Sequence, residues 1–525
     1  MDKTKPPSRP EKPERPERPE RNEHRARVAG GAGFAFLGRM GALIEAISVI
    51  AFTWYYGAAT FGLFAVLWSY VKVSTAVSDA AMTTALQRFV PKANGNDPEL
   101  AVGYAIKFSF LIAITIAGLT CYFAPNLAGV ISAAEDDADH LISVIRIYVW
   151  VLPFWTMVEV GTAAIRARRK FGPEIRVRVF YEQGLRLVAA IGFAAMDYMT
   201  YGLFIAHLVS VVLSAALALR LVAKHYDFGK VLRAPMTGPM PRAMRQYGFT
   251  VMPANLIKKL FSEFPVMFLN YLLPGAAGAA AGGYYAVARK IASALQAVRM
   301  TFEYVMAPLA AEKDGHGDHV ALQDMFAYAT RLSVTLALPF GAALVLARND
   351  ILATMQPQFQ TAAAAMSILC AGRVLEAATG PSSAIIEMLG HRSLPAINGV
   401  LGLITLLLLG NWLIPLYGVT GAAVAAAAGL NVTAIAGLIE TFFIFRLWPY
   451  DRHALRPLIV SLVTSGIMLS LIPASNHWPV PVGILGAVAG LLISVMILVR
   501  YGLNHEDANA LGRIGKLKPL KKLAP

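Results

Sequence analysis

The chain has 525 residues, of which 56% are hydrophobic and only 15% are charged, and its mean hydropathy is +0.54. Soluble domains carry about 25% charged residues, so this composition excludes most soluble enzymes and binding modules. The formal net charge of +15 lies in the tails and in alternate loops, which is typical of membrane orientation and not of a nucleic-acid-binding face. We therefore expect a membrane protein without a nucleic-acid partner.

Residues 1–28 form a polar tail that repeats Pro-Glu-Arg and contains almost no apolar residue. Such a composition cannot bury a core, and it predicts a disordered cytoplasmic segment. A specific patch for lipid headgroups is the alternative, which the interleaved glutamates disfavour. A second basic cytoplasmic tail is predicted for residues 502–525.

Fourteen apolar stretches follow the first tail, each about 20 residues long, which is enough to cross a hydrocarbon core of about 30 Å as a helix. The predicted fold class is therefore all-α, a polytopic membrane protein with fourteen transmembrane helices. These helices are predicted at 31–55, 60–88, 100–122, 140–166, 175–196, 200–222, 247–272, 282–310, 322–347, 361–389, 394–414, 418–446, 455–473 and 478–501.

The loops between these helices alternate in charge. The second, fourth, sixth and twelfth loops are basic, whereas the third is acidic and the other odd-numbered loops contain almost no Lys or Arg. By the positive-inside rule, the even-numbered loops and both tails face the cytoplasm. We expect a multi-pass protein of a bacterial inner membrane whose N and C termini are both cytoplasmic.

An internal repeat relates the first six helices to the next six. Gly62 and Gly283 each begin a Gly-x-x-Ala-Val sequence, 221 positions apart, and Pro173 and Pro395 are 222 apart. Because six is an even number of crossings, the two halves share one orientation, which suits alternating access around a central cavity. The predicted parts are an N-terminal lobe (29–223), a cytoplasmic linker (224–245), a C-terminal lobe (246–446) and an extra helix pair (447–501).

Charged residues inside the predicted helices are the candidates for function. An ionisable group at mid-membrane costs about 3 kcal/mol or more unless it faces water or a partner. Glu182 with Arg186, and Arg299 with Glu303, have the i,i+4 spacing of local ion pairs, so a purely structural role is an alternative for each pair.

Four cations are the predicted ligands of an anionic group such as a diphosphate, because a cation-lined cavity attracts phosphate oxygens. They are Lys72, Lys258, Arg289 and Arg299. An alternative for Lys258 is that its side chain extends to the lipid headgroups. Two carboxylates, Asp79 and Glu263, are candidates for binding the proton or sodium ion that resets a carrier.

No catalytic constellation, cofactor motif or metal site is predicted. Cys121 and Cys370 lie in separate apolar segments, which gives neither a disulfide framework nor a thiolate metal site. The nearest approach to a metal cluster, Asp314-Gly-His316-Gly-Asp318-His319, is interpreted as a polar turn. We therefore expect a carrier without a cofactor, and not an enzyme.

Four segments of small and aromatic residues carry a family resemblance. They are Tyr56-Gly-Ala-Ala-Thr-Phe-Gly-Leu-Phe-Ala65, Leu86-Gln-Arg-Phe-Val-Pro91, Gly283-Tyr-Tyr-Ala-Val-Ala-Arg-Lys290 and Ile414-Pro-Leu-Tyr-Gly-Val-Thr-Gly-Ala-Ala-Val-Ala425. The chain resembles the polysaccharide exporters and Wzx-type flippases of the multidrug/oligosaccharidyl-lipid/polysaccharide superfamily, over about residues 30–500. The resemblance implies a two-lobed bundle of fourteen helices with a V-shaped cavity. Departures are the proline-rich tail and Glu263, where many relatives look to have an aspartate.

Three functions fit such a chain. The first, which the resemblance implies, is a flippase that moves an undecaprenyl-diphosphate-linked oligosaccharide outward, with membrane lipids and polysaccharide polymerase or assembly proteins as further partners. The second is a drug/cation antiporter, which needs acidic residues and is disfavoured by the cationic surplus inside the helices. The third is a membrane polysaccharide polymerase or ligase, which needs a long outward catalytic loop that the predicted topology lacks.

Overall fold

The computed structural model describes residues 18–92, 98–170, 172–300, 319–389, 393–451, 453–475 and 477–502. Within these ranges the chain is helical and contains no strand, which confirms the predicted all-α class. The longer helices are α1 (Arg18–Ser78), α2 (Met82–Phe89), α3 (Pro98–Tyr122), α4 (Leu141–Tyr148), α5 (Val151–Ala167), α6 (Glu182–Ala195), α7 (Gly202–His225), α8 (Pro239–Leu272), α9 (Gly275–Ala292), α10 (His319–Leu346), α11 (Ala363–Ala378), α12 (Ser382–Met388), α13 (Ser393–Phe445), α14 (Leu455–Ser470) and α15 (Val480–Ile497).

Short helical turns connect several of these helices. They are Ala124–Ala128, Glu135–Ala138, Gly172–Ile175, the π-helical Arg176–Tyr181, Phe228–Arg233, Arg348–Ala353, the 3₁₀ turn Pro357–Ala362, Ile472–Ser475 and the π-helical Leu498–Gly502. Each of the fourteen predicted segments contains helical residues within the described ranges.

Helices α1 and α13 each span two of the predicted helices, and each is interrupted at a single glycine. α1 breaks at Gly57 (φ 78°) and α13 breaks at Gly418 (φ 53°), a region of φ that only glycine adopts without strain. The predicted second helix, by contrast, is interrupted before α2, where Ala80 and Ala81 both have positive φ. At the N terminus the backbone is helical from Arg18, within the segment predicted as a tail, and residues 1–17 lie outside the described residues.

Nine segments of the described chain are long and apolar enough to cross a bilayer, and two of them, Ile44–Ser78 and Ser393–Phe445, each cover two predicted helices. The predicted helices at 175–196 and 247–272, and the described part of the one at 282–310, are not among these nine segments. These three predicted helices carry many of the intramembrane charges, and charged residues from them line the cavity described below. The total of fourteen crossings stays a prediction.

The two lobes meet along α1 and α9. We call α1–α7 the N-terminal lobe and α8–α13 the C-terminal lobe. A methyl group on Gly62 of α1 would lie 1.8 Å from the carbonyl oxygen of Ala279, and one on Gly283 of α9 would lie 3.0 Å from Gly62 Cα. The two glycines that the repeat predicts as equivalent therefore contact each other, and their missing side chains let the backbones approach closely.

The second, fourth and sixth loops, all basic, gather at one end of the bundle, which we call the basic end. Arg168 Nη2 lies 3.3 Å from Glu99 Oε1, which joins the fourth loop to the start of α3. A methyl group on Gly103 would lie 2.2 Å from the carbonyl oxygen of Val231, in the sixth loop. These contacts place the second, fourth and sixth loops side by side, as expected if the even-numbered loops lie on one side of the membrane.

The lobes also touch at the opposite end. Thr53 Oγ1 donates to the Met355 carbonyl at 3.1 Å, and Ser132 Oγ donates to the Leu273 carbonyl at 2.8 Å. Ser132 and Asn270 exchange two further hydrogen bonds, of 3.0 and 2.7 Å. Each contact joins the N-terminal lobe to the C-terminal lobe, so this end is closed between them.

Helix α8 packs against both lobes at different points along its length. Near the basic end, a methyl group on Gly248 would lie 2.4 Å from the carbonyl oxygen of Ala80 in the N-terminal lobe. Further along, Phe261 and Phe268 pack within about 3 Å of the positions where Gly429 and Gly410 of α13 would carry a methyl group. Pro253 lies between these two regions, inside the helix.

The extra pair, α14 and α15, packs against α10. Ser461 Oγ donates to the Thr335 carbonyl at 2.8 Å, inside the α10–α14 contact. Arg331 of α10 is buried and donates to both carboxylate oxygens of Asp451, at 3.2 and 3.0 Å, in the loop that precedes α14. The pair is therefore attached to the outside of the C-terminal lobe and takes no part in the contact between lobes described above.

Candidate functional site

Two adjoining cavities lie at the centre of the bundle: one of about 370 Å³ between the lobes, and one of about 480 Å³ that is lined by the C-terminal lobe alone. Ser262, Arg289, Gln296 and Arg373 line both of them, so we treat them as one central cavity. Helices α1 and α6 form its wall on the N-terminal lobe, and α8, α9 and α11–α13 form the other wall. Lys72 of α1 lies on the wall formed by the N-terminal lobe, about 20 Å along the helix from the break at Gly57, toward the basic end.

Cations outnumber carboxylates on the walls of the central cavity. Over the described residues, seven cationic side chains line it against three carboxylates. The cations are Lys72, Arg186, Lys258, Arg289, Lys290, Arg299 and Arg373, and the carboxylates are Glu45, Glu376 and Glu387. Such a surplus raises the local concentration of anions and disfavours cationic ligands.

The four cations predicted to bind a diphosphate are all on the cavity wall. Lys72 comes from the N-terminal lobe, and Lys258, Arg289 and Arg299 come from the C-terminal lobe. The predicted partner of Arg299, Glu303, lies outside the described residues. Arg299 forms an ion pair with Glu376 of α11.

Glu263 lies behind this wall and joins the two lobes. Lys72 Nζ binds Glu263 Oε2 from the N-terminal lobe, and Arg289 Nη2 binds the same oxygen at 3.2 Å from the C-terminal lobe. Ser69 Oγ donates to it as well, at 3.0 Å. Three donors contact one oxygen of Glu263, which is 5% exposed, so its single charge offsets part of the positive charge at the centre of the bundle. Arg289 Nη1 also donates to Ser262 Oγ at 2.8 Å.

Asp79 lies apart from the central cavity. Its Oδ1 accepts a hydrogen bond from the Thr83 backbone N–H at 3.0 Å, and its Oδ2 accepts one from Thr83 Oγ1 at 2.8 Å. These bonds satisfy a free N–H at the start of α2, which is the role of a helix cap. The structure therefore brings Glu263 to the predicted diphosphate ligands and does not bring Asp79 to them.

Sequence reasoning passed over three cations of the cavity as site residues: Arg186, Lys290 and Arg373. Lys290 of α9 forms an ion pair with Glu45 of α1 across the lobe contact, and Arg373 Nη1 donates to Glu376 Oε2 at 2.8 Å. The sequence signal for such a residue is a charge within an apolar helix. Cations in structural ion pairs give the same signal, so it does not distinguish them from cations that bind a ligand.

An aromatic row from α1 forms the floor of the first cavity. Phe61, Phe64 and Trp68 line it at a helical spacing of three and four residues. The Trp68 ring stacks edge-on against His207 of α7 with centroids 4.6 Å apart, and Lys72 Nζ lies 5.7 Å from the Trp68 centroid. Histidine at position 207 was not selected from the sequence, although it is the one imidazole within an otherwise apolar stretch of α7 before His225.

The part of the chain that the structure describes holds no group of three or more His, Cys, Asp or Glu side chains arranged for a metal ion. Residues 314–318 of the polar turn considered above lie outside it. The side chains that line the central cavity offer charge recognition and hydrogen bonding, by guanidinium, ammonium and hydroxyl groups.

Residues 57–358 match the protein family described as "Polysaccharide biosynthesis protein", which is more than half of the chain. Among curated proteins, none matches this chain.

Several solved structures share the fold. A structure described as lipid II flippase MurJ in an inward closed conformation aligns with a TM-score of 0.69 at 13% identity, over 89% of this chain and 98% of that one. An inward-facing multidrug resistance MATE family transporter of the MOP superfamily aligns with a TM-score of 0.64 at 13% identity, over 77% and 94%. A MATE protein in complex with MaL6 aligns at 0.58 and 15% identity, over 78% and 94%. At these identities the similarity shows the fold alone.

Proposed function

Because the chain belongs to the polysaccharide biosynthesis protein family, we propose that it is a flippase for an undecaprenyl-diphosphate-linked oligosaccharide. It moves this polysaccharide repeat unit from the cytoplasmic to the outer leaflet of a bacterial inner membrane by alternating access. The observation that carries the proposal is the central cavity, whose first part is lined by cations from both lobes.

The diphosphate is the group that the cavity recognises. Lys72, Lys258, Arg289 and Arg299 are its ligands, because guanidinium and ammonium groups form short charge-assisted hydrogen bonds to phosphate oxygens. They come from α1, α8, α9 and the helical residues after α9, so a diphosphate bound among them contacts both lobes. A ligand that touches both lobes is able to favour one arrangement of the lobes over another.

The sugar portion needs a polar surface, since each hydroxyl or amide buried without a partner costs a few kcal/mol. The cavity supplies Ser48, Ser69, Ser293 and Gln296 as hydrogen-bonding groups beside the aromatic row. The polyprenyl tail stays in the bilayer. A separate, almost entirely apolar pocket of about 310 Å³ lies between α1, α3 and α8, on the face of α8 that carries Phe264 and Phe268.

The lobes touch on both sides of the central cavity. The opposite end is closed by the hydrogen bonds of Thr53 and Ser132 described above, and near the basic end α8 contacts the N-terminal lobe between Gly248 and Ala80. Alternating access requires these two sets of contacts to open in turn. An inside-negative potential assists outward movement of about two negative charges by about 5 kcal/mol per 100 mV.

Glu263 is the predicted ion-coupling residue that lies at the site. It holds Lys72 and Arg289 when no substrate is bound, and a diphosphate competes with it for both. A proton or sodium ion on Glu263 then compensates the carboxylate that has lost its partners. Further partners of the cycle are the polymerase and assembly proteins that receive the repeat unit outside.

The test is a leaflet-resolved assay with the purified protein in liposomes that contain a fluorescent undecaprenyl-diphosphate-linked sugar. Arg289→Ala should slow transfer at least tenfold, and cells that express it should accumulate lipid-linked repeat units on the cytoplasmic leaflet. Arg456→Ala is the matched control, because Arg456 is exposed at the start of α14 and does not line the cavity. Transfer by Arg289→Ala at the wild-type rate would overturn the assignment of the site.

A further inference from the structure

A second charged cluster lies in the N-terminal lobe, next to the central cavity. Glu182 and Arg186 of α6 are both buried, and Glu182 Oε1 lies 3.3 Å from Arg186 Nη1. His207 of α7 is fully buried beside them, with Nε2 3.5 Å from Glu182 Oε1 and 3.4 Å from Arg186 Nη1. Tyr148 of α4 forms a 2.8 Å hydrogen bond with His207 Nδ1. Neither the predicted site nor the proposed function uses this cluster.

The cluster contains polar atoms that are buried without a hydrogen bond. Among the described residues, Glu182 Oε1 and Arg186 Nε accept or donate none, although each is out of contact with solvent. A buried carboxylate oxygen in this condition costs about 1–3 kcal/mol or more, and binding a proton removes the charge that causes the cost. The carboxylate oxygen that lacks a hydrogen bond, Glu182 Oε1, is therefore the atom to which a proton would bind.

The two tautomers of His207 serve different neighbours. When Nδ1–H donates to the Tyr148 oxygen, Nε2 is free to accept from Arg186 Nη1. When Tyr148 O–H donates to Nδ1, Nε2 carries the hydrogen, and its nearest carboxylate oxygen is Glu182 Oε1, 3.5 Å away. The imidazole cannot serve the guanidinium and the carboxylate at once, so the charge on Glu182 decides which arrangement is stable.

Space for water reaches the cluster from the basic end. A cavity of about 380 Å³ extends from Glu174 and Arg178, in the fourth-loop region, to Glu182 and Arg186. Arg186 lines this cavity and also the central cavity, as do Glu45 and Trp68. The cluster thus lies in the wall between a route for protons and the chamber for the anion.

We infer that Glu182, with Arg186 and His207, is a proton-binding site whose occupancy is linked to anion binding in the central cavity. A proton from the water of the side cavity binds Glu182 Oε1, and the Arg186 guanidinium then loses its negative partner. Its charge becomes available to the anion, so protonation strengthens anion binding. By thermodynamic reciprocity, a bound anion strengthens proton binding to the same extent. This inference rests on the proposed function.

The charges around the cluster support this direction of coupling. Arg178, Glu45 and Lys290 interact electrostatically with Glu182, and Lys72 does so with His207. Three of these four groups are cations, and together with Arg186 they oppose the arrival of a proton. An anion in the central cavity offsets their field, which makes the proton easier to bind.

The test measures protons taken up on anion binding. Wild type, Glu182→Gln and the control Glu440→Gln are placed in lipid nanodiscs and titrated with inorganic pyrophosphate in two buffers of different ionisation enthalpy. Glu440 is a matched control, because it is a carboxylate of α13 that accepts a 2.7 Å hydrogen bond from Asn398 Nδ2 and does not line the cavities. The probe's own protonation is common to all three proteins, so differences between them report the protein.

We expect wild type and Glu440→Gln to take up as much as one proton more than Glu182→Gln. The glutamine mimics the protonated acid, so Glu182→Gln should bind pyrophosphate more tightly than wild type at high pH, and the affinities should converge as pH falls. For one linked proton the affinity ratio changes by up to about tenfold per pH unit. Equal proton uptake together with a constant affinity ratio would overturn the inference and leave the anion site standing.

Two further results complete the test. Absence of pyrophosphate binding in all three proteins would count against the proposed function itself, and the inference would fall with it. If Glu182→Gln does not accumulate, infrared difference spectra of wild type decide, since pyrophosphate should produce a carboxylic-acid C=O band. Tyr148→Phe, which keeps the packing, should shift that band through His207, and a wild-type spectrum without the band contradicts the inference.

Discussion

Replacing Glu263 by glutamine should destabilise the protein and at the same time tighten its binding of anions. The change removes the carboxylate charge that Lys72 and Arg289 share. Breaking a buried ion pair by removing one partner costs about 3–5 kcal/mol. Because the Lys72 and Arg289 side chains are 18% and 24% exposed, water compensates part of the loss. We expect the free energy of unfolding to fall by about 2–3 kcal/mol.

The assay is unfolding by SDS in mixed micelles, followed by tryptophan fluorescence, with and without inorganic pyrophosphate. Freed from the carboxylate, the two cations should bind pyrophosphate at least about tenfold more tightly, which corresponds to 1.4 kcal/mol. Pyrophosphate at one hundred times its dissociation constant should then return about 2.7 kcal/mol of stability to Glu263→Gln. Adding Lys72→Met to Glu263→Gln should recover at least about 1 kcal/mol, because the unpaired charge is removed.

Glu99→Gln is the control for this experiment. Glu99 pairs with Arg168 at 3.3 Å at the basic end, where the Arg168 side chain is 35% exposed. Its loss should cost no more than about 1 kcal/mol and leave pyrophosphate affinity unchanged. The reasoning is refuted if Glu263→Gln keeps wild-type stability and binds pyrophosphate no more tightly than wild type does.

The lobe contacts give two further predictions. Gly62→Ala should lower the free energy of unfolding by about 1–3 kcal/mol, because its methyl group would lie 1.8 Å from the Ala279 carbonyl oxygen; Gly118→Ala, with nothing within 4 Å of the added methyl group, should be neutral or stabilising in the same SDS titration. Cysteines at Ser132 and Asn270, in a background without the two native cysteines, should crosslink on oxidation and stop leaflet transfer until a reductant is added. Full transfer by the oxidised protein would show that this end does not need to open.

Much of the fold was accessible from the sequence because the bilayer imposes a simple length rule on apolar segments. The positions of the helices follow from it, whereas the repeat and the orientation, which come from matched segments and loop charge, stay predictions. The length rule does not predict the backbone conformation within an apolar segment. The breaks at Gly57 and Gly418, and the positive φ of Ala80 and Ala81, depend on how neighbouring helices pack.

The site was accessible in part, for a related reason. The scarcity of charge in the membrane drew attention to Lys72, Arg289 and Glu263, which do lie together. Which carboxylate pairs with which cation is set by contacts between residues nearly 200 positions apart, and no local spacing reports them. Asp79 shows the converse, since a charge that looks exceptional in a helix proves to cap the next one.

Helix α8 limits how the two lobes are able to move. Near its start it is fastened to the N-terminal lobe at Gly248, and beyond Pro253 it is fastened to α13 of the C-terminal lobe. Proline removes one backbone hydrogen bond and loosens the turn before it. Moving the lobes apart at the basic end therefore either bends α8 near Pro253 or breaks its contact with one of the lobes. The two lobes are thus rigid bodies joined by an elastic helix, and they do not move about a free hinge.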